Sequence, residues 1–169
     1  MLPLPIETER LRIRAPVRED MDTWVSLFTN PKVLTYMRGP VNRSAEEWWV
    51  GLHGKFESVD LPLSVTKKPQ DSCIGHAGYL EVAGDQSSLE IYCRLLPDFW
   101  NKGYGRELCS TLTATALGAL KATKVVGYVH PENAASIAIL RGLGFRHAGN
   151  LDDSKSWQVG HEIYEKTAV

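Results

Sequence analysis

Two glycines and a lysine stand where a helix is about to begin. In the segment FWNKGYGREL, residues 99–108, Lys102, Gly103 and Gly105 follow a proline-punctuated apolar run and precede a helical pattern. A helix N-terminus offers unpaired N–H groups and a partial positive charge, and a backbone without side chains lets a phosphate reach them. The spacing therefore predicts either a phosphate-binding turn or a tight turn that needs glycine for its backbone alone.

The residues around the glycines exclude two common phosphate motifs. No Gly-Lys-Ser or Gly-Lys-Thr sequence follows them, so the segment is not a P-loop. Leu108 stands where the third glycine of a dinucleotide-binding fingerprint would fall, and the segment lies late in the chain.

Acid–base chemistry has two candidate residues. Glu90 lies in the strand-like segment 88–96, beside Tyr92 and on the face opposite the leucines. His130 follows the apolar segment 124–129, and its unperturbed pKa is near 6.5, as for any histidine. The alternatives are a solvated or salt-bridged strand carboxylate for Glu90 and an ordinary loop histidine for His130.

The cysteines and histidines form no pattern typical of a metal site. Cys73, Cys93 and Cys109 include no CxxC pair, and the five histidines show no HxxxH or HExxH spacing. We therefore predict no metal. Cys93 and Cys109 fall on apolar faces, where a free cysteine is commonly a small buried hydrophobe and not a nucleophile.

The first third of the chain is mostly helical in pattern. Residues 10–14, RLRIR, alternate as in a half-buried strand, and residues 18–30 carry apolar side chains at helical spacing. A short helix is predicted over 33–37, and Ser44 with Glu47 forms a capping box that opens another helix. The apolar face of that helix comprises Ala45, Trp48, Trp49, Leu52 and Phe56.

The rest of the chain alternates strands and helices. A long helix follows the glycine segment, and a second one begins at Asn133 and ends at Gly142 or Gly144. The predicted strands are 61–66, 73–82, 88–96, 124–129, 145–149 and 156–166, with Gly84-Asp85 as a hairpin turn. We predict one mixed α/β domain over residues 1–169, in which the unit 88–129 is a right-handed parallel crossover with a ligand at its strand-to-helix turn.

Composition limits the partners and the compartment. The 19 Lys and Arg nearly balance the 20 Asp and Glu, giving a net charge of −1, which argues against general nucleic-acid binding. No apolar run is long enough to span a bilayer, and the N-terminal arginines follow the short apolar stretch, unlike in a signal peptide. With three cysteines that cannot all pair, a reduced cytoplasmic setting is expected.

Two segments, in this order, resemble the GNAT superfamily of acetyl-CoA-dependent N-acetyltransferases. FWNKGYGREL is similar to its Q/R-x-x-G-x-G/A pyrophosphate loop, and NAASIAILRGLGF (133–145) is similar to its Asn-x-x-Ser helix. Residues 8–37 resemble the start of the branch that includes ribosomal-protein N-terminal acetyltransferases. Trp100 replaces the Q/R residue of the loop, and Asn101 stands where a third glycine is frequent.

The resemblance implies an α/β (α+β) GNAT fold. This fold has a mixed, mostly antiparallel sheet of about seven strands, a V-shaped splay between strands 4 and 5, and about four flanking helices. Acetyl-CoA is the implied cosubstrate, with its pantetheine along strand 88–96 and its pyrophosphate on the glycine loop. The implied cofactor-binding residues are Arg94, Leu95, Asn101, Lys102, Gly103, Tyr104, Gly105, Arg106, Asn133 and Ser136.

The resemblance also implies a direct attack of a primary amine on the thioester in a ternary complex. Glu90 is then the first candidate base. Ser136 is a candidate proton donor to the leaving thiolate or a pantetheine contact; the alternative is a plain helix residue capped by Asn133. Tyr164, a further candidate acid, also fits the pattern of a core aromatic.

The acceptor side of the site is less specified. A main-chain N–H near Cys93–Leu95 is the expected oxyanion donor, and Trp48 or Trp49 is a candidate lining residue. The acceptor is a protein N-terminus or a small amine such as an amino acid, polyamine or aminoglycoside, and the enzyme a monomer or homodimer.

Two other functions remain compatible with the sequence. One is a non-catalytic acyl-CoA binding or sensor module, which would lack a working base. The other is acetylation of aminoacyl-tRNA, which requires a basic acceptor face. Residues 10–18 are the only arginine cluster, and their alternation is more typical of the solvent face of a strand.

Overall fold

A computed structural model describes residues 2–52, 59–154 and 156–168. Within these ranges the chain forms four α-helices and one sheet of eight strands. The helices are α1 (Met21–Thr29), α2 (Ala45–Val50), α3 (Tyr104–Gly118) and α4 (Ala134–Gly142). The strands are β1 (Ile6–Glu7), β2 (Leu11–Arg14), β3 (Leu63–Lys67), β4 (Ser72–Val82), β5 (Asp85–Leu95), β6 (Lys124–Val129), β7 (Arg146–Asn150) and β8 (Glu162–Thr167).

The sheet confirms the mixed, mostly antiparallel architecture. Its strand order is β1-β2-β3-β4-β5-β6-β8-β7, and only β5 and β6 are parallel among the described pairs. It has one strand more than the seven predicted, because Ile6 pairs with Ile13 to add a two-residue edge strand. So short a strand leaves no alternation to detect.

The predicted splay lies between β5 and β6, the fourth and fifth strands of the sequence-based prediction. These strands pair only where Ser88–Glu90 faces Lys124–Val126. Beyond that point β5 continues to Leu95 and β6 to Val129 without further pairing between them. The two strands therefore diverge, and the cleft between them opens toward the start of α3.

Helices cover both faces of the sheet. On one face Leu108, Leu112 and Ala116 of α3 are fully buried against the leucine face of β5, and Tyr79 Oη donates to the Leu112 carbonyl at 2.9 Å. On the other face α1 buries Trp24, whose ring meets Trp48 of α2 edge-on at 5.8 Å. This packing fixes β5 between two rigid layers.

Local capping signals agree with the structure. Ser44 Oγ accepts from the Glu47 N–H at 3.2 Å, and the Glu47 carboxylate accepts from the Ser44 N–H at 2.7 Å, the reciprocal pair of a capping box. The described helix ends at Val50, so Phe56, predicted for its apolar face, lies outside the described residues.

Two predicted elements are wrong. Residues 33–37 form hydrogen-bonded turns and no helix, because the bonds from Leu34 to Asn30 and from Met37 to Leu34 do not continue into a ladder. The predicted strand 156–166 begins only at Glu162, because Gly160 takes a left-handed φ of 83° and reverses the chain. Residues 156–161 form a turn that folds back onto Leu151.

Candidate active site

A cleft of about 950 Å³ occupies the splay between β5 and β6. It runs from the glycine loop before α3, past the diverging strands, to the side of the sheet that α1 covers. Its size and its mixture of apolar wall with a few polar groups are typical of a small-molecule site.

The loop before α3 has the backbone of an anion site. Asn101 and Gly103 adopt left-handed φ values of 58° and 82°, and α3 begins at Tyr104. Alternation of left- and right-handed residues turns successive N–H groups toward one concavity, to which the helix N-terminus adds its own N–H groups. Asn101 and Gly103 both line the cleft, so a pyrophosphate group fits this loop.

Arg10 holds the loop from outside. Its Nη1 donates to the Lys102 carbonyl at 2.9 Å, its Nη2 pairs with the Glu107 carboxylate at 2.7 Å, and its guanidinium covers the Tyr104 ring at 4.4 Å. Arg10 is not among the described residues that line the cleft. Its hydrogen bond to the Lys102 carbonyl uses an acceptor of the loop and leaves the N–H groups of the loop available to a ligand.

The two glycines of the motif have different roles. Gly103 requires its left-handed φ, which an L side chain rarely adopts. Gly105 needs space: a Cβ there would lie 3.2 Å from Ile139 Cδ1, so the small residue lets α3 approach α4. The sequence alone suggests one shared role for both glycines, a backbone without side chains that a phosphate can approach.

The other loop residues that were predicted to bind the cofactor can contact a ligand mainly through main-chain atoms. Lys102 Nζ donates to the Asp98 carbonyl at 2.7 Å, and the side chains of Lys102 and Tyr104 are not among the described lining residues. Arg106 lines the cleft, but its Nη2 donates to the Gly142 carbonyl at 3.1 Å and ties α3 to the end of α4.

The predicted Asn-Ser pair lies at the start of α4. Asn133 Oδ1 accepts from the Ser136 N–H at 3.2 Å, so Asn133 is the side-chain cap of α4. Both residues line the cleft, and the Ser136 hydroxyl forms no hydrogen bond within the described ranges.

The free edge of β5 forms one wall. Arg94 and Leu95 both line the cleft beyond the last residue paired with β6. The Leu95 carbonyl already accepts from Trp100 Nε1 at 2.7 Å. Trp100, which replaces the Q/R residue of the motif, thus fastens the end of β5 to the loop.

Glu90 is buried on the cleft wall. The residue is 8% exposed, and its Oε1 accepts a long hydrogen bond of 3.5 Å from Gln158 Nε2. Burial raises the pKa of Glu90 to about 6, against smaller opposing effects of Gln158 and Arg94. A carboxyl group in this state exchanges a proton near neutral pH.

Two histidines and a tyrosine form a second group among the residues that line the cleft. The His130 ring stacks on Tyr36 at 5.1 Å and meets the His161 ring edge-on at 5.5 Å. Burial, reinforced by His130, lowers the pKa of His161. His130 Nδ1 accepts from the Glu132 N–H at 3.2 Å, so in the neutral ring the proton is on Nε2.

Comparison with known protein families identifies the family to which the chain belongs. The family model for the acetyltransferase (GNAT) domain matches residues 10–146. The chain belongs to the GNAT acetyltransferase family. It is therefore an N-acetyltransferase domain that uses acetyl-CoA as its acetyl donor, which agrees with the pyrophosphate-compatible loop.

The individual relatives agree on the fold and differ in acceptor. The uncharacterized N-acetyltransferase p20 of Bacillus licheniformis is 27% identical over 150 residues, which cover 86% of this chain and 84% of that protein. The ribosomal-protein-S5-alanine acetyltransferase of Vibrio fischeri is 18% identical with a TM-score of 0.75, covering 98% of this chain and 97% of its own. The spermidine N-acetyltransferase of Vibrio cholerae, solved with CoA and spermine, is 20% identical with a TM-score of 0.74 and 94% coverage of both chains.

Some residues predicted for this GNAT site lie elsewhere. Tyr164 is fully buried and is not among the described lining residues; its hydroxyl donates to Glu162 at 2.7 Å and accepts from Arg141 at 3.1 Å. Its hydroxyl is therefore occupied away from the cleft, and the geometry does not support it as the acid. Trp48 packs on Phe28 at 4.5 Å, and neither it nor Trp49 is a described lining residue.

The structure adds residues that the sequence did not single out. Tyr36, His76, Trp157, Gln158 and His161 all line the cleft. Three of them come from the turn at 156–161, which takes the place of the first part of the predicted strand 156–166. No local sequence pattern assigns such a turn to a binding site.

The cysteines and the potential metal ligands of the GNAT domain form no separate site among the described residues. Cys93 and Cys109 lie with their sulfur atoms 3.6 Å apart between β5 and α3. In the described part of the chain no three His, Cys, Asp or Glu side chains are grouped as metal ligands. Nor does any described helix have the length and apolar character needed to cross a membrane.

The arginine side chains of the cluster at 10–18 form ion pairs with carboxylates of this chain. Arg10 pairs with Glu107, Arg12 with Glu7 and Arg14 with Asp20, the last two at 2.6 and 2.7 Å. Because these guanidinium groups already have carboxylate partners, they offer little free charge to a tRNA backbone.

Proposed function

We propose that this chain transfers an acetyl group to a primary amine bound on the α1 side of the cleft, with both substrates bound at the same time. The observation that carries the proposal is the position of Glu90. It is a buried carboxyl with a pKa of about 6, on the cleft wall at the last residue of β5 that pairs with β6.

Acetyl-CoA, when bound, supplies an activated thioester. The left-handed turn at Asn101 and Gly103 and the first N–H groups of α3 would hold its pyrophosphate. The main chain of Arg94 and Leu95, on the edge that β6 leaves unpaired, would hold the pantetheine. These contacts would place the reacting end of the cosubstrate between the strands, on the same wall as Glu90.

Glu90 would then remove the proton that makes the amine unreactive. An alkylamine arrives largely as an ammonium ion at neutral pH, and a carboxylate ionised above pH 6 accepts a proton from it directly or through a water. His130 suits this role less, since Nδ1 is occupied by the Glu132 N–H and Nε2 carries the proton of the neutral ring.

Ser136 would act on the other side of the reaction. Its main-chain N–H is bonded to Asn133, which fixes the first turn of α4, while its hydroxyl remains available in the cleft. The hydroxyl can donate a proton to the sulfur atom as CoA leaves.

The proposal is tested by product detection and by initial-velocity kinetics. The protein is incubated with acetyl-CoA and amines of three classes: a short peptide with a free N-terminus, a polyamine and an amino acid. An acetylated amine found by mass spectrometry is expected, with intersecting double-reciprocal lines for a ternary complex. Binding of acetyl-CoA with no product from any class would contradict the proposal and favour the non-catalytic module.

A further inference from the structure

A half-buried guanidinium without a carboxylate partner among the described residues lies in the cleft, beside α1. Arg94 lies four residues beyond Glu90 on the same face of β5 and lines the cleft. Its Nε is buried and unbonded, and no carboxylate of the described residues lies within ion-pair distance of it.

Neutral groups hold this cation in place. His76, its cross-strand partner on β4, presents Nδ1 to Arg94 Nη1 at 3.3 Å. The guanidinium lies over Phe28 at 4.9 Å, and its Nη2 points to Met37 Sδ at 3.9 Å. Because arginine only donates, His76 Nδ1 must accept, and the ring is neutral.

The electrostatics of His76 support this arrangement. Burial, together with the charge of Arg94, lowers the pKa of His76 well below that of an ordinary histidine. His76 therefore positions the guanidinium without neutralising it. The positive charge of Arg94 stays available to the cleft.

A buried cation that lacks a counterion is costly to keep. Removing an ion from water is repaid only when an opposite charge or strong acceptors replace the lost solvent. The described cleft lining contains three cations, Lys32, Arg94 and Arg106, and a single carboxylate, Glu90. An anionic group brought by a ligand would satisfy Arg94.

Resting on the proposed function, we propose that Arg94 binds a carboxylate of the amine acceptor, so that the preferred acceptors are amines that also carry a carboxylate. The planar guanidinium fork matches a carboxylate with two parallel hydrogen bonds. The amine end of such an acceptor points to Glu90 and its carboxylate to Arg94.

The strand sets the spacing of the two ends. Four residues of extended chain separate the α-carbons of Glu90 and Arg94 by about 13 Å, with Tyr92 between them on the same face, and all three line the cleft. This spacing favours an acceptor in which several bonds separate amine and carboxylate. A polycation such as a polyamine would meet one carboxylate and an unpaired guanidinium, an unfavourable match.

The test compares acceptors that differ only in charge. 6-Aminohexanoate and 6-aminohexanamide share the amine and the chain length, and 4-aminobutyrate with its amide repeats the comparison at a shorter length. We expect the wild-type kcat/KM to favour the carboxylate at least tenfold. The ratio should fall toward one in Arg94→Met, mainly through KM, and Arg94→Lys should retain part of it because the charge remains without the fork.

A binding measurement separates this inference from the proposed function. Calorimetric titration of the CoA-bound protein with 6-aminohexanoate should show binding that Arg94→Met weakens tenfold or more. 3-Aminopropylphosphonate shows whether another anion serves equally well; a preference for it over the carboxylates would overturn the assignment.

The failures of the two claims differ. The role of Arg94 would be overturned if the enzyme acetylates amines without preferring the carboxylates. It would also be overturned if both Arg94 variants keep that preference. In either case the proposed function would stand. If no amine of any class is acetylated, the proposed function fails. Binding of 6-aminohexanoate that Arg94→Met weakens would then still identify Arg94 as a carboxylate contact, and binding that the variant leaves unchanged would overturn that role.

Discussion

Glu90 and Val126 form the last residue pair between β5 and β6, so the carboxyl group of the candidate base stands where the two strands part. Pairing of β5 with β6 ends at this residue, while pairing of β5 with β4 continues as far as Leu95. The position combines a rigid strand with an open cleft, which is the combination that a catalytic side chain needs.

The glycine loop makes a first prediction. Gly103→Val forces a β-branched residue into a φ of 82° and places its Cβ 3.2 Å from Arg10 Nη2. We expect the affinity for acetyl-CoA to fall at least tenfold in calorimetric titration. Gly84→Val is the matched control, because Gly84 has a φ of 79° in the β4–β5 hairpin and open space around it. Equal losses in both variants would mean that the effect is general strain.

Arg10, which holds the glycine loop through the Lys102 carbonyl, gives a second prediction with a smaller effect. Arg10→Met removes the bond to the Lys102 carbonyl and the pair with Glu107. Because the guanidinium is partly exposed, the acetyl-CoA dissociation constant should rise by roughly fivefold at most. Arg12→Met, which breaks the pair with Glu7 away from the loop, should leave that constant unchanged. No difference between the two variants would remove Arg10 as a support of the loop.

The cysteine pair makes a third prediction. Cys93 and Cys109 lie side by side, and in a direct transfer neither becomes acylated. Incubation with acetyl-CoA alone, followed by intact-protein and peptide mass spectrometry, should show no acetyl thioester on either residue. An acetylated Cys93 that disappears when an amine is added would replace the ternary mechanism with a covalent one.

Glu90 also predicts a pH-dependent stability. Its folded pKa, about 6, lies above the ordinary value of 4.5, so the folded state binds this proton more tightly. Its stabilising contribution is full below pH 4.5 and is lost as the pH rises through 6. Glu90→Gln avoids the buried charge and should therefore be more stable than wild type by about 2 kcal/mol at pH 8, with little difference at pH 4.

Chemical denaturation at both pH values measures this effect. Glu81→Gln changes an exposed carboxylate of β4 and serves as the control. A destabilised Glu90→Gln at pH 8 would mean that the carboxylate is stabilised by partners and is not strained by burial.

The features that the sequence predicted well depend on neighbouring residues in the chain. The Ser44–Glu47 box, the Asn133 cap of α4 and the glycine turn before α3 each follow from backbone rules that act within four residues. The splay could be predicted only through the family resemblance, because no local pattern tells where two strands stop pairing.

The features that were missed depend on register and on long-range contacts. His76 meets Arg94 because β4 and β5 pair in one register, which a hairpin turn alone does not determine. Trp157 and His161 lie in an aromatic stretch with β propensity, and the left-handed Gly160 overrides that preference. Trp48 faces Phe28 and Trp24 instead of the cleft, which depends on how α2 packs on α1.

The central claim is that Glu90 takes the proton of the amine acceptor. The most direct test is the pH dependence of kcat/KM for one acetylated amine, measured in wild type and Glu90→Gln with Glu81→Gln as control. In wild type we expect an acidic limb with an apparent pKa near 6, as burial dictates. In Glu90→Gln that limb should vanish and kcat should fall by roughly a hundredfold. An acidic limb near 6 that persists in Glu90→Gln with undiminished kcat would contradict the account.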